Sequence, residues 1–214
     1  MNFTIDVDGT IAFPRPDIFD VDFQRCRQNC IDAGLVRAEE IAGLRRHTEL
    51  LILPGVCATH VPAPGAVETL QALHQAGDVI HYCTARTSLN PEERSAIHEA
   101  TRAWLKHHAF PGNVSFAKLI SDKLLQALNI AAPHTLLIDD RAAGIIDAYY
   151  HIVQSDPTRA KQIRQRVIIV SYGRREVQAP KDAPKVVHLK DWSEFSSMLS
   201  GVESMVTSAI STKG

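Results

Sequence analysis

Asp6 and Asp8, two positions apart where a short apolar run gives out in Asp6-Val7-Asp8-Gly9-Thr10, are the first residues of this 214-residue chain equipped to do chemistry. Side chains alternate along a strand, so a regular strand through Phe3-Thr4-Ile5 would point both carboxylates the same way, and Gly9 lets the chain turn after them. Two like charges this close call for a counter-ion, and a hard divalent cation is the natural one. A plain Asx-type turn is the alternative, since Asp, Gly and Thr all favour turns. Polar groups recur at the ends of two other apolar runs. Val79-Ile80-His81-Tyr82-Cys83 delivers Thr84-Ala85-Arg86, and Thr135-Leu136-Leu137-Ile138 delivers Asp139-Asp140-Arg141. Each run thereby places a guanidinium suited to gripping an anion such as phosphate in two-point fashion. Taken alone, Asp139-Asp140-Arg141 would serve equally as an acidic cap at a helix start.

Strands must carry these residues and helices must hold the strands. The sequence predicts helical stretches over 17–32, 37–51, 66–75, 91–108 and 121–128, the last with Ser121 as N-cap. A longer one over 142–166 is interrupted at Asp156-Pro157. Short strands over 114–116, 167–170 and 186–189 and a helix over 191–199 complete the set. Buried strands alternating with helices predict an α/β fold, a parallel sheet with helices on both faces, with its ligand site at the carboxyl ends of the strands. Residues 13–62 are bounded by the proline-rich stretches 14–16 and 61–65 and read as a small helical cap inserted after the first strand. The core is then 1–12 and 63–200, and 201–214 reads as a weakly structured tail.

Together the strand ends resemble the haloacid dehalogenase (HAD) superfamily of Rossmann-like phosphohydrolases and phosphotransferases, from Asp6 through the strand ending at Val170. The resemblance rests on Asp6-x-Asp8-Gly9-Thr10, on Thr84 at the second strand end, and on a lysine ahead of Asp139-Asp140. It implies that Asp6 is the nucleophile of an aspartyl-phosphate, and that Asp8 gives a proton to the leaving oxygen and takes one from water. It implies further that Mg²⁺ binds the Asp6 carboxylate, the Asp8 backbone carbonyl and Asp140, with Asp139 orienting that shell or holding the lysine. Thr84 and the loop N–H groups of Gly9 and Thr10 would take phosphoryl oxygens. Arg86 and Arg141 would contact the substrate phosphate. Lys123, in Ser121-Asp122-Lys123-Leu124-Leu125 at a helix start, matches the family's lysine; Lys118, after the third strand, is the other candidate.

A second resemblance is to the phosphatase domain of phage polynucleotide kinase–phosphatases, through Thr84-Ala85-Arg86, Thr101-Arg102-Ala103-Trp104-Leu105 and Asp139-Asp140-Arg141. Deoxyribonucleotidase-like members share the Asp-Asp-Arg ending and an inserted helical cap. Thr101 and Trp104 read as helix-packing residues. The stretch between Arg141 and the next strand is longer than in that family, and no P-loop is present for a kinase half.

The implied function is a Mg²⁺-dependent phosphomonoester hydrolase for a small phosphorylated metabolite or nucleotide. A polynucleotide 3′-phosphatase and a non-catalytic phosphate-binding protein on the same scaffold are the alternatives. A net charge of −1 gives no overall electrostatic footprint for nucleic acid or a membrane surface. No apolar run approaches the ~18 residues that would span a bilayer. The first residues lack a secretion signal, and Cys26, Cys30, Cys57 and Cys83 contain no C-x-x-C; a cytoplasmic protein with reduced thiols is the expectation. The ten histidines are scattered, without the paired spacing of a zinc site. Arg174 and Arg175 read as part of a solvated loop.

Overall fold

The computed structural model describes residues 1–130, 132–173 and 175–211, with side chains as far as Thr207. In chain order the strands are β1 (Asn2–Ile5), β2 (Ala12–Phe13), β3 (Val61–Pro62), β4 (Val79–Thr84), β5 (Asn113–Phe116), β6 (Thr135–Asp139), β7 (Val167–Tyr172) and β8 (Lys185–Leu189). The helices are α1 (Phe23–Asp32), α2 (His47–Leu51), α3 (Pro54–Cys57), α4 (Ala66–Gln75), α5 (Pro91–His107), α6 (Ile120–Asn129), α7 (Ala142–Ser155), α8 (Pro157–Arg166) and α9 (Phe195–Ser211).

Six strands form one sheet in the order β5-β4-β1-β6-β7-β8, and every neighbouring pair is parallel. The chain winds outward from β1 to β4 and β5, then returns to β6 on the other side of β1. That reversal leaves a crevice at the carboxyl end of β1, between the ends of β4 and β6. Alternation along the strands sorts the core onto the two faces. Phe3, Ile5, Leu136, Ile138, Ile168 and Val170 pack with Leu70 of α4 and Val202 of α9. Leu137, Val167 and Ile169 pack with Leu124, Ile145 and Ile163 of α6, α7 and α8. A one-residue slip would exchange these sets, so burial on both faces fixes the register that aligns the strand ends.

Between β1 and α4 the chain leaves the sheet and comes back. The outgoing and returning segments pair antiparallel as β2 and β3, with Ala12 opposite Pro62 and Phe13 opposite Val61. The residues between them gather around an apolar cluster of their own, including Ile18, Cys26, Cys30, Ile41, Leu50 and Val56. The helix expected over 17–32 starts only at Phe23, where the Asp22 carboxylate accepts the Gln24 and Arg25 N–H groups at 2.9 and 3.0 Å. The one expected over 37–51 is broken down to His47–Leu51. Glu40 folds back onto the Arg37 N–H at 2.8 Å, and Glu49 onto those of Arg45 and Arg46 at 2.8 and 3.1 Å. Such side-chain bonds to nearby main chain compete with a continuous helix.

Two further expectations differ from the structure. Ser121 does not cap α6; the Asp122 carboxylate does, accepting the Lys118 and Leu119 N–H groups at 2.8 and 2.9 Å. The tail expected to be weakly structured from 201 continues α9 to Ser211, because Val202 enters the main core with Met205 and Val206 beside it. Residues 212–214 and Arg174 lie outside the described residues. Among the described residues no helix is long and apolar enough to cross a membrane.

Candidate active site

Two strand ends meet around one ammonium group. Lys123, in the first turn of α6, lies with its Nζ 2.8 Å from Asp6 Oδ1 and 2.6 Å from Asp139 Oδ2. All three side chains are buried. Lys118, the alternative lysine, is exposed. Asp139 spends its other oxygen on the Arg141 N–H at 2.8 Å, so it orients the lysine and the turn at once. Asp140 sits beside this group at the surface. Gly9 makes its approach possible: at φ 73° a Cβ on Gly9 would lie 2.5 Å from Asp140 Oδ2.

The electrostatics show what the cluster lacks. Burial pushes the Asp6 carboxyl up to about 8, the Asp139 charge adds to the rise, and Lys123 opposes it. Desolvation and then the Asp139 charge raise Asp140 to about 6. Burial works against the Lys123 ammonium, but Asp6 and Asp139 outweigh it and hold its pKa above the usual lysine value. Asp6, Asp139 and Asp140 can bring oxygens within 4.8 Å of one another, and with all three ionised one ammonium would leave two negative charges unbalanced. Among the described residues no donor lies on the Asp8 backbone carbonyl. An all-oxygen set with that charge fits a hard divalent cation such as Mg²⁺.

Asp8 faces the other way, toward Arg86. Arg86 Nε lies 2.9 Å from Asp8 Oδ2 and Nη2 2.7 Å from Oδ1, a two-point pair between a buried guanidinium and a carboxylate that is 40% exposed. Burial pushes the Asp8 carboxyl up, and the charge and hydrogen bonds of Arg86 more than reverse this, leaving it below the usual carboxylate value. Arg86 Nη1 donates to Thr101 Oγ1 at 3.2 Å, and Nη2 lies 3.2 Å from His60 Nδ1. Where the sequence suggested a phosphate contact, each nitrogen of Arg86 has a protein partner in this structure. Arg141 is different, exposed and without an ion-pair partner among the described residues.

The loop after Asp6 turns two of its N–H groups onto its own main chain. The Gly9 N–H is spent on the Ala12 carbonyl at 3.0 Å, and the Thr10 N–H points at the Val7 carbonyl at 3.4 Å, so neither is free for a phosphate. The N–H groups of Val7 and Asp8 are the ones without an acceptor among the described residues. Thr84 ends β4 fully buried at the same crevice. Trp192 supports the loop from below, its Nε1 donating to the Thr10 carbonyl at 2.9 Å.

His60 and Trp192 carry no local signal that marks them for a site. Thr101, read as packing, is a polar partner of Arg86. Trp104 does pack, stacking on Phe110, and its Nε1 also holds the His60 carbonyl at 2.8 Å.

No protein-family model matches this chain, and no curated protein matches its sequence. Solved structures similar to it include a HAD-superfamily hydrolase from Ehrlichia chaffeensis, 16% identical with a TM-score of 0.44, the match covering 90% of this chain and 92% of that one. A protein described as haloacid dehalogenase-like hydrolase from Burkholderia xenovorans LB400 is 15% identical with a TM-score of 0.46, covering 92% and 95%. One described as a beta-phosphoglucomutase from Thermotoga maritima is 17% identical with a TM-score of 0.46, covering 94% and 99%. At 15–17% identity, what the site can do has to come from its own residues.

Proposed function

We propose that this chain is a phosphomonoester hydrolase that works through an aspartyl-phosphate on Asp6, with Mg²⁺ as cofactor and a small phosphorylated metabolite or nucleotide as substrate. The observation that supports this most is the single buried ammonium of Lys123 shared between Asp6 and Asp139, with Asp140 alongside. When bound to Asp6, Asp140 and the Asp8 carbonyl, Mg²⁺ would offset the phosphate dianion and the carboxylates around it. Asp6 attacks phosphorus in line with the leaving oxygen: its oxygen–phosphorus bond forms as the ester bond breaks. Lys123 holds the attacking carboxylate in place. The free N–H groups of Val7 and Asp8 and the Thr84 hydroxyl receive the phosphoryl oxygens, where charge is greatest in the transition state. Arg141, uncommitted at the rim, contacts the substrate's outer face.

Asp8 handles the proton. It delivers one to the leaving alkoxide and takes one from the water that then cleaves the aspartyl-phosphate. In the structure Arg86 holds Asp8 ionised, so Asp8 takes up a proton from solvent before the donating step while Arg86 keeps the carboxyl group oriented.

The test is a screen of phosphorylated metabolites, mononucleotides and 3′-phosphorylated oligonucleotides, with wild type and Asp6→Asn, with and without Mg²⁺. Phosphate release that needs both Asp6 and Mg²⁺ is expected. Release that survives Asp6→Asn, or none from any compound, overturns the reading. A preference for the oligonucleotides over every small compound replaces its substrate half with a 3′-phosphatase.

A further inference from the structure

The Asp8–Arg86 pair is held from outside the strand-end motifs. The Arg86 side chain is fully buried, and its guanidinium meets three separate parts of the chain. They are the Asp8 carboxylate after β1, the Thr101 hydroxyl on α5, and His60 where the inserted segment returns toward β3. Thr101 donates its own hydroxyl hydrogen to the Ile97 carbonyl at 2.8 Å, which leaves its lone pairs for Arg86. His60 is fixed on both sides: its carbonyl accepts the Trp104 indole N–H at 2.8 Å, and its N–H reaches the Cys57 carbonyl at 3.2 Å.

We propose that His60 and Thr101 are positioning residues for Asp8, acting through Arg86; this rests on Asp8 being the group that handles the proton in the reaction above. A two-point guanidinium–carboxylate pair fixes the plane of the carboxylate as well as its place. The long arginine side chain can impose that geometry only if its own fork is fixed. Two neutral acceptors fix it without disturbing the charge. An acidic residue at either place would compete with Asp8 for the guanidinium, and a cationic one would repel it.

His60 behaves as such an acceptor. A guanidinium only donates, so Nδ1 facing Arg86 must carry the lone pair and the ring proton sits on Nε2. Burial, with Arg86 adding to it, lowers the His60 pKa to about 4, so the ring stays neutral. Its Nε2 is buried without a partner. An apolar side chain would avoid leaving that N–H unsatisfied, and the ring's use is therefore in its other nitrogen. Because His60 belongs to the inserted segment and Thr101 to α5, the orientation of Asp8 depends on how the insertion seats against α5.

Four variants of the full chain test this. In His60→Asn the amide oxygen stands near the place of Nδ1, whereas His60→Leu fills the volume with no acceptor. Thr101→Ser keeps the hydroxyl and Thr101→Val keeps only the shape. The reading is kcat/KM for an alkyl phosphate against that for an activated aryl phosphate, whose leaving group needs little proton assistance. The Leu and Val variants are expected to lose about tenfold or more on the alkyl phosphate and much less on the aryl one. The Asn and Ser variants are expected to recover most of that loss. A packing role predicts the reverse order at position 60, so His60→Leu working as well as His60→Asn overturns the proposal. Equal losses on both substrates do so as well.

A second measurement needs no turnover. His60→Leu and Asp8→Asn are combined in a double-mutant cycle on the thermal unfolding midpoint, where coupling through Arg86 makes the two changes non-additive. Additive shifts overturn the positioning role even in a proven phosphatase. Non-additive shifts in a protein without phosphatase activity would instead remove the proposed reaction and leave the positioning intact.

Discussion

The indole N–H of Trp192 donates to the carbonyl oxygen of Thr10 at 2.9 Å, joining the segment after the last strand to the loop that carries Asp6 and Asp8. The ring is buried and stacks on Phe195, with centroids 5.4 Å apart. Trp192→Phe would keep most of that packing and leave the Thr10 carbonyl unpaired. The expected cost is about 1–3 kcal/mol in denaturant unfolding, with a fall in kcat because the loop loses its anchor. Unchanged stability and turnover would show that the loop holds its shape without this bond.

Lys123 and Lys118 offer a matched comparison. Lys123→Met leaves Asp6 and Asp139 buried without their shared cation, a situation that typically costs roughly 3–5 kcal/mol. Mg²⁺ is expected to restore part of it, since a cation at the three carboxylates replaces some of the lost charge. Lys118→Met removes an exposed lysine and should stay within about 0.5 kcal/mol of wild type. Similar unfolding midpoints for the two variants in chelator would contradict the assignment of Lys123 to the site.

The strand ends were legible because each is a local pattern. β1, β4 and β6 are apolar runs that end abruptly in Asp, Thr or Asp-Asp, and burial on both faces of a parallel sheet produces that pattern directly. The fate of Arg86 was not legible. Its partner Asp8 lies 78 positions away, and Thr101 and His60 come from two further elements. Nothing adjacent to Thr84-Ala85-Arg86 says whether its guanidinium faces a ligand or the protein. The 37–51 stretch misled for a different reason. Its Ala, Glu, Leu and Arg content favours helix, but Glu40 and Glu49 close turns on nearby N–H groups and cut it short. At the other end, the Ser, Thr and Gly content after 200 pointed away from helix, and burial of Val202 against the core outweighs it.

Removing the divalent cation should expose the strain among the carboxylates as a pH dependence. The folded-state pKa of Asp6 is raised from 3.8 to about 8. Between those values the folded protein keeps a proton that the unfolded chain has released, so this group's contribution to stability falls as pH rises through that window. With chelator present, the wild-type unfolding midpoint measured relative to Asp6→Asn should drop from pH 4 to pH 8. Saturating Mg²⁺ should flatten the drop, because the ionised carboxylate then has its counter-charge. A difference that is constant with pH in chelator would mean that Asp6 is ionised throughout.

The inserted segment bears on the choice between small and polymeric substrates. Residues 13–62 leave and rejoin the core through the paired β2 and β3, and they carry His60 against the Arg86–Asp8 pair. If the segment closes over Asp6 when substrate binds, amides in α1 to α3 should exchange more slowly with beryllofluoride and Mg²⁺ present, since closure protects exposed N–H groups. Shortening the loop between α1 and α2 should then broaden the range of small phosphates accepted without changing Mg²⁺ affinity. A polynucleotide substrate makes the opposite demand, an open groove with phosphate contacts and an affinity that falls steeply with salt. The net charge of −1 favours the closed arrangement. Amide exchange across α1 to α3 that ignores the phosphate analogue, together with oligonucleotide binding that weakens sharply between low and moderate salt, would assign the insertion to the polymer instead.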